Sequence, residues 1–149
     1  MKLALLVVSV IAALALGTPP AGAERAPSDR TVSPWVELTL DEIAVHRVDP
    51  PHASRVLATM SIAMQQADAG ARPPASSAAA INGAASTVLA YFFPDLGGRF
   101  HGLAARADGF GRGGGFALGR RIGAELVARA AGDGADAAFS GTPPRGPEF

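Results

Sequence analysis

Residues 76–95 read SSAAAINGAASTVLAYFFPD, and this stretch decides the fold. Its apolar residues recur at steps of three and four, which is the spacing of one helical face. They are Ile81, Ala85, Val88, Leu89 and Phe92. Ser76 or Ser77 can cap this helix, and Pro94 ends it because proline cannot continue the backbone hydrogen bonds. Small side chains dominate the stretch, so a neighbouring helix can approach it closely.

The flanking sequence predicts four more helices by the same spacing, at about 34–47, 53–69, 96–107 and 116–131. The apolar stripes of the last three are Val56, Met60, Ala63, Met64 and Ala67, then Phe100, Leu103 and Ala107, and finally Leu118, Ile122, Leu126 and Ala130. Ser33-Pro34 is the expected start of the first helix, and Asp49-Pro50-Pro51 is its stop. No alternation typical of strands occurs, so the predicted fold class is all-α, a small bundle of about five helices.

The first 23 residues have the pattern of an export signal. Lys2 precedes an apolar run at 3–16, and Ala21-Gly22-Ala23 fits the small-residue cleavage site. The run is shorter than the roughly 20 residues that span a bilayer. We therefore expect an exported protein, periplasmic or extracellular, with no membrane contact after cleavage. Its expected parts are a signal peptide at 1–23, a flexible leader at 24–32, a helical domain at 33–140 and a disordered tail at 141–149.

Composition excludes several functional classes. Thirteen basic and thirteen acidic side chains give a net charge of zero, which argues against a polybasic nucleic-acid binder. The absence of cysteine excludes disulfides, thiolate metal sites and a cysteine nucleophile. Asp133 and Asp136 are too few for a calcium loop, so we expect no metal. Lys2 is the only lysine, and signal cleavage therefore leaves no amine side chain.

Eight segments stand in a characteristic order along the chain. They are Ser33-Pro34-Trp35, Pro50-Pro51, Ser54–Ala58, Ala63–Ala69, Ala78–Asp95, Phe116–Arg120, Ala130–Gly134 and Gly141–Pro147. Together they resemble the exported, soluble branch of the PAP2 superfamily, which comprises bacterial acid phosphatases, lipid phosphatases and vanadium-dependent haloperoxidases. The resemblance implies a helical bundle around a phosphate or vanadate pocket.

The resemblance also implies a chemistry, namely phosphate-monoester hydrolysis through a phosphohistidine. In such a site a lysine and two arginines neutralise the phosphoryl oxygens, and a second histidine protonates the leaving alcohol. The family variant that binds vanadate oxidises halides with peroxide. The motifs that carry this chemistry are a lysine ahead of an Arg-Pro pair, a Pro-Ser-x-His segment, and a Ser-Arg segment that ends in the nucleophilic histidine.

This sequence departs from the PAP2 pattern at each motif. Arg72 matches the Arg-Pro pair, but Gln65 stands at the position of the lysine. The Pro-Ser-x-His segment is Ala75-Ser76-Ser77-Ala78, and the stretch 107–116 contains no histidine. We therefore expect no catalytic residue, no vanadate cofactor and little or no phosphatase activity. What the resemblance leaves is a vestigial binding site for a phosphate-like anion, formed by Arg72, Ser76 and Ser77.

Other candidate features have simpler structural interpretations. His46, His52 and His101 lack catalytic partners at fixed spacing, so we expect structural roles for them. Gly111–Gly115 precedes a helix, as in a phosphate loop, but lacks the strand, lysine and hydroxyl residue of that motif and is better explained as a linker. The alternative function is therefore a secreted, non-catalytic helical module that binds a protein or a small ligand. A chain that does not fold alone is a third possibility.

Overall fold

A computed structural model describes residues 27–72, 76–107, 114–137 and 141. Its helices are α1 (Pro27–Val45), α2 (Pro50–Gly70), α3 (Ser77–Phe92), α4 (Gly97–Ala107) and α5 (Gly114–Ala131), with a 3₁₀ turn at Pro94–Leu96. No strand occurs in these ranges, so the prediction of an all-α bundle of five helices is confirmed. The expected signal at 1–23, and the tail apart from Gly141, lie outside the described residues.

Helix α3 is the centre of the bundle. The eight consecutive residues from Ala79 to Ser86 are buried, as are Val88 and Leu89, and the other four helices all pack against α3. A helix that is apolar on every side requires such a position, because burying its surface is what stabilises it. The cap and the stop are those that the sequence predicted, with Ser76 as N-cap and Pro94 two residues beyond the last helical residue.

Glycine brings α5 into backbone contact with α3. Three glycines at four-residue spacing form the face of α5 that is turned to α3. They are Gly115, Gly119 and Gly123. A Cβ atom on Gly119 would clash with the carbonyl oxygen of Ala80 and lie 2.8 Å from the backbone nitrogen of Ala84. Gly83 faces α5 in the same way, where a Cβ atom would clash with the carbonyl oxygen of Phe116. Any side chain at these positions would force the two helices apart.

Helix α2 contributes one face of five residues to the core. The stripe predicted from the sequence is buried throughout, which confirms it. It consists of Val56, Met60, Ala63, Met64 and Ala67. In α4 the buried residues are Phe100 and Ala104, with Leu103 half-buried. Ala107, which was predicted to lie in that stripe, is exposed, because it is the last residue of α4. In α5, Ile122, Leu126 and Ala130 are buried as predicted, with Leu118 half-buried.

Helix α1 begins earlier than the sequence predicted. Its first residue is Pro27, so residues 27–32, which we expected in the flexible leader, are helical. Pro27 is suited to that position, because the first residue of a helix needs no N–H group. Pro34 lies inside the helix, where its ring removes one backbone hydrogen bond. The helix ends at Val45, two residues before the predicted end, and Arg47 then takes a left-handed conformation with φ of 53°.

The segment Asp49-Pro50-Pro51, predicted as a stop, is also the start of α2. Asp49 is the N-cap and its carboxylate accepts a hydrogen bond from the backbone N–H of His52 at 3.3 Å. The two prolines take the first helical positions, where no N–H group is required. Helix α5 likewise begins two residues before the predicted Phe116, at Gly114. None of the described helices is long and apolar enough to cross a bilayer.

Substitution of Gly119 by alanine tests the backbone contact. We expect Gly119→Ala to lower the free energy of unfolding by about 1–3 kcal/mol, because the added methyl group has no space beside Ala80. The matched control is Gly98→Ala in α4, where a Cβ atom meets nothing within 4 Å. The control should leave stability unchanged or raise it by up to about 1 kcal/mol. Urea unfolding followed by circular dichroism measures both, and equal stability of the two variants would contradict the proposed packing.

Candidate functional site

The three residues predicted for a vestigial anion site lie around the connection between α2 and α3, and each has a structural hydrogen bond. The guanidinium of Arg72 donates to the carbonyl oxygens of Ala69 at 2.7 Å and Ala71 at 3.2 Å, so it caps the end of α2. The Ser76 hydroxyl accepts from the backbone N–H of Ala79 at 3.3 Å. These two side chains therefore stabilise helix ends.

Ser77, the third predicted residue, donates its hydroxyl hydrogen bond to the carboxylate of Asp68 on α2. Asp68 and Gln65, which stands at the lysine position of the resemblance, line the same surface depression of about 380 Å³. A carboxylate beside Ser77 opposes binding of a phosphate-like anion, because like charges repel. The structure thus brings the predicted residues near one connection, together with a negative charge that the sequence analysis did not anticipate.

The three histidines lie in separate places. His46 follows α1, with its Nε2 3.6 Å from the carboxylate of Glu42 and its ring 5.4 Å from that of Phe93. His101 lies on α4, and partial burial lowers its pKa, as does the positive charge of Arg120. Within the described ranges, no histidine shares a cavity with two guanidinium groups.

His52 lies between two carboxylates at the start of α2. Its Nδ1 is 2.7 Å from the Oδ2 of Asp49, and its Nε2 is 3.7 Å from the Oδ1 of Asp136. The hydrogen bond with Asp49 raises the pKa of His52, and the same hydrogen bond lowers the pKa of Asp49. Both side chains are about half exposed, so solvent weakens the attraction between them.

Arg55 links α2 to the turn that follows α5. Its Nε and Nη2 each lie 3.0 Å from one oxygen of Asp133, and its Nη1 lies 3.3 Å from Asp136. Nη2 also donates to the carbonyl oxygen of Ala130, at the end of α5, and the guanidinium lies over the ring of Phe92 at 5.5 Å. Only 13% of the Arg55 side chain is exposed, against 41% of Asp133, so the two-pronged contact lies at the edge of the bundle with its carboxylate side open to solvent. We call it the Arg55 clamp.

A cavity of about 440 Å³ opens between α1, α3 and α4, and we call it the Trp35 cavity. Its lining residues are Arg30, Thr31, Pro34, Trp35, Leu38, Ala78, Asn82, Leu103 and Ala107. Trp35 and Asn82 are both buried, with 6% and 5% of their surface exposed. The indole N–H of Trp35 donates a hydrogen bond of 2.8 Å to the Oδ1 of Asn82.

The Trp35–Asn82 hydrogen bond fixes the orientation of the amide. An indole nitrogen can only donate, so the amide atom that faces it must be the oxygen. The amide NH₂ group of Asn82 is therefore turned away from the indole. Among the described lining residues there is no carboxylate and no histidine. The Trp35 cavity thus offers apolar surface and hydrogen-bonding groups, but no general base.

The sequence analysis missed both the Trp35 cavity and the Arg55 clamp. One signal for the cavity was present, because Asn82 is the only asparagine in the chain and interrupts its most apolar helix. The clamp had no comparable signal, since Arg55 and Asp133 are 78 residues apart. Within the part of the chain that the structure describes, no three His, Asp or Glu side chains are grouped to hold a metal ion.

Comparisons of this chain with protein-family models, with curated proteins and with solved structures find no match. The geometry of the described residues therefore carries the functional proposal.

The charges around His52 predict a pH dependence of stability. The raised pKa of His52 contributes stability that is fully present below its unfolded value of 6.5 and is lost as the pH rises through the folded pKa. The lowered pKa values of Asp49 and Asp133 contribute stability that is present above 3.8 and is lost as the pH falls through their folded values. The combined contribution of His52, Asp49 and Asp133 should therefore be greatest between these two limits. His101, whose pKa is lowered by partial burial, instead contributes stability that is present above 6.5 and is lost as the pH falls.

Thermal unfolding on both sides of pH 6.5 measures the contribution of His52. The contribution of His52 should lower the midpoint temperature of wild type as the pH rises above 6.5. We expect this fall to be smaller in His52→Gln. His101 titrates in the opposite sense, but it is present in both proteins and cancels in the comparison. Asp49→Asn is the second variant, because asparagine keeps the helix cap and removes the charge. If wild type and His52→Gln have identical pH profiles, the pairing of His52 with Asp49 contributes nothing.

Proposed function

We propose that this protein is a non-catalytic helical binding module that holds a small molecule in the Trp35 cavity. The observation that carries the proposal is a buried Trp35–Asn82 pair in the wall of a cavity of about 440 Å³. Sites for small molecules have volumes of roughly 300–1,000 Å³ and combine apolar walls with a few well-placed polar groups. Pro34, Leu38 and Leu103 supply the apolar walls of this one.

We also propose that the module is a degenerate, exported relative of the PAP2 superfamily. The specific support is Ala78, which stands where the resemblance requires a histidine and which lines the Trp35 cavity. On this proposal the cavity corresponds to the position of the family's pocket, with a methyl group in place of the imidazole. Gln65 stands at the position of the amine, although it lines the separate depression beside Asp68 and not the Trp35 cavity. Without these groups, binding can persist while phosphoryl transfer is lost.

Export is part of the same proposal and rests on the sequence of residues 1–23. The positive start, the apolar run and the small-residue cleavage site together make up the pattern of a secretory signal. A binding module with neither a thiol nor a surface amine after cleavage is chemically suited to an oxidising compartment, because it has no thiol to oxidise.

Ligand binding can be followed at the single tryptophan of the chain. Titration with ethylbenzene, a hydrocarbon probe, should shift the indole N–H resonance of Trp35 in a ¹H–¹⁵N spectrum, because this group lines the cavity. Ala78→Phe should abolish the shift by filling the cavity. Ala58→Phe, the same change on an exposed position of α2, should leave the shift intact. If neither ethylbenzene nor a polar aromatic probe moves the Trp35 resonance, the proposed binding function is wrong.

Assays with an aryl phosphate test the proposed loss of catalysis. Purified protein should release phosphate no faster than a heat-killed sample, because Gln65 and Ala78 replace the amine and the imidazole of the family pattern. The variants are Arg72→Ala and, as control, Arg106→Ala at another exposed arginine. Turnover above background that is lost in Arg72→Ala and retained in Arg106→Ala would show an active phosphatase site and overturn this part of the proposal.

A further inference from the structure

We infer that the ligand of the Trp35 cavity is an apolar molecule that carries a carbonyl or carboxylate oxygen, and that this oxygen accepts a hydrogen bond from the amide NH₂ of Asn82. The inference rests on the proposed binding function and adds the chemical class of the ligand. It depends on three properties of Asn82, namely its orientation, its burial and its place in the cavity wall.

The orientation of Asn82 leaves its two N–H donors available. Its oxygen is turned to the donor of Trp35 at 2.8 Å, so its nitrogen cannot occupy that position. Within the described part of the chain, the Asn82 side chain makes one hydrogen bond, which it accepts from Trp35. The oxygen therefore has a partner, whereas the NH₂ group has none among the described residues.

Burial makes the unpartnered NH₂ group significant. Asn82 is only 5% exposed, and a buried donor without an acceptor is unfavourable and uncommon in folded proteins. Ser86, one turn further along α3, shows the usual outcome, since its hydroxyl donates to the carbonyl oxygen of Gly83 at 3.2 Å. For Asn82 the space on the cavity side is where an acceptor can enter, because this residue lines the cavity.

The apolar walls of the Trp35 cavity determine the body of the ligand, beyond its acceptor oxygen. Pro34, Leu38 and Leu103 contribute carbon atoms to its wall, and Trp35 contributes an aromatic ring. Such a wall favours a hydrophobic body and disfavours a ligand that is polar throughout. A molecule that matches this lining has an acceptor oxygen at the end that meets Asn82 and a mainly hydrocarbon body, with Arg30 and Thr31 as the other polar residues of the wall.

Three aromatic probes of similar size test the inference on the wild-type chain. They are acetophenone, which carries a carbonyl oxygen, benzoate, which carries a carboxylate, and ethylbenzene, which carries neither. We expect acetophenone or benzoate to bind at least about fivefold more tightly than ethylbenzene, which is the effect of one hydrogen bond to a buried donor. Acetophenone is the cleaner comparison with ethylbenzene, because Arg30 also lines the cavity and would attract the charge of benzoate.

The side-chain NH₂ resonances of Asn82 provide the direct readout. Asn82 is the only asparagine, so only Gln65 and Gln66 contribute other resonances of this kind. We expect acetophenone or benzoate to move the Asn82 resonances and the Trp35 indole resonance together. Equal binding of all three probes, or unmoved Asn82 resonances in the presence of bound probe, overturns the inference while leaving cavity binding intact. If no probe moves the Trp35 resonance, cavity binding itself fails.

Asn82→Asp is the matching variant, because it keeps an oxygen for the Trp35 N–H and removes the NH₂ donors. It should still bind ethylbenzene and should lose the preference for acetophenone. If this variant does not fold, the comparison of probes on wild type decides the question. Nuclear Overhauser contacts between the Asn82 amide and residues outside the described ranges would show that the chain fills its own cavity, and would overturn the inference.

Discussion

The backbone contact between α3 and α5 is the constraint on which the rest of the structure depends. Gly115, Gly119 and Gly123 allow α5 to lie against α3 with no side chain between the two backbones. In a chain so rich in alanine, each buried side chain removes little area from water, so close approach compensates for the small size of the side chains. With α5 pressed against one side, α3 is surrounded, and α1, α2 and α4 cover its remaining surface.

The central position of α3 also accounts for the candidate site. A helix that is buried on all sides tolerates a polar side chain only where that group finds a partner. Asn82 finds one in Trp35 on α1, at the place where α1 and α4 leave space beside α3. The same residue thus fixes the position of α1 against the core and supplies a polar group to the cavity. The hydrogen bond between Trp35 and Asn82 therefore contributes both to the fold and to the candidate site.

Local sequence patterns predicted much of the fold, because they depend on residues close together in the chain. The buried stripe of α2 and the cap and stop of α3 follow from spacing, serine and proline. The starts of α1 and α2 did not follow, because Ser33-Pro34 and Asp49-Pro50-Pro51 are compatible with more than one boundary. Contacts between residues far apart in the sequence could not be predicted in this way. The partners of Asn82 and of Arg55 lie 47 and 78 residues away, and no local pattern identifies them. The hydrogen bonds that the predicted anion residues Arg72 and Ser77 make to Ala69 and Asp68 were likewise not predictable from local spacing.

The Arg55 clamp joins α2 to a part of the chain that is synthesised much later. Arg55 lies in α2, whereas both of its carboxylate partners belong to the turn at 132–137 that follows α5. A nascent chain that ends before Asp133 therefore contains α2 and nearly all of α5 but cannot close the clamp. Closing so long a loop adds only a modest entropic cost, since that cost grows with the logarithm of loop length. A turn that follows α5 thus secures a helix that is synthesised much earlier.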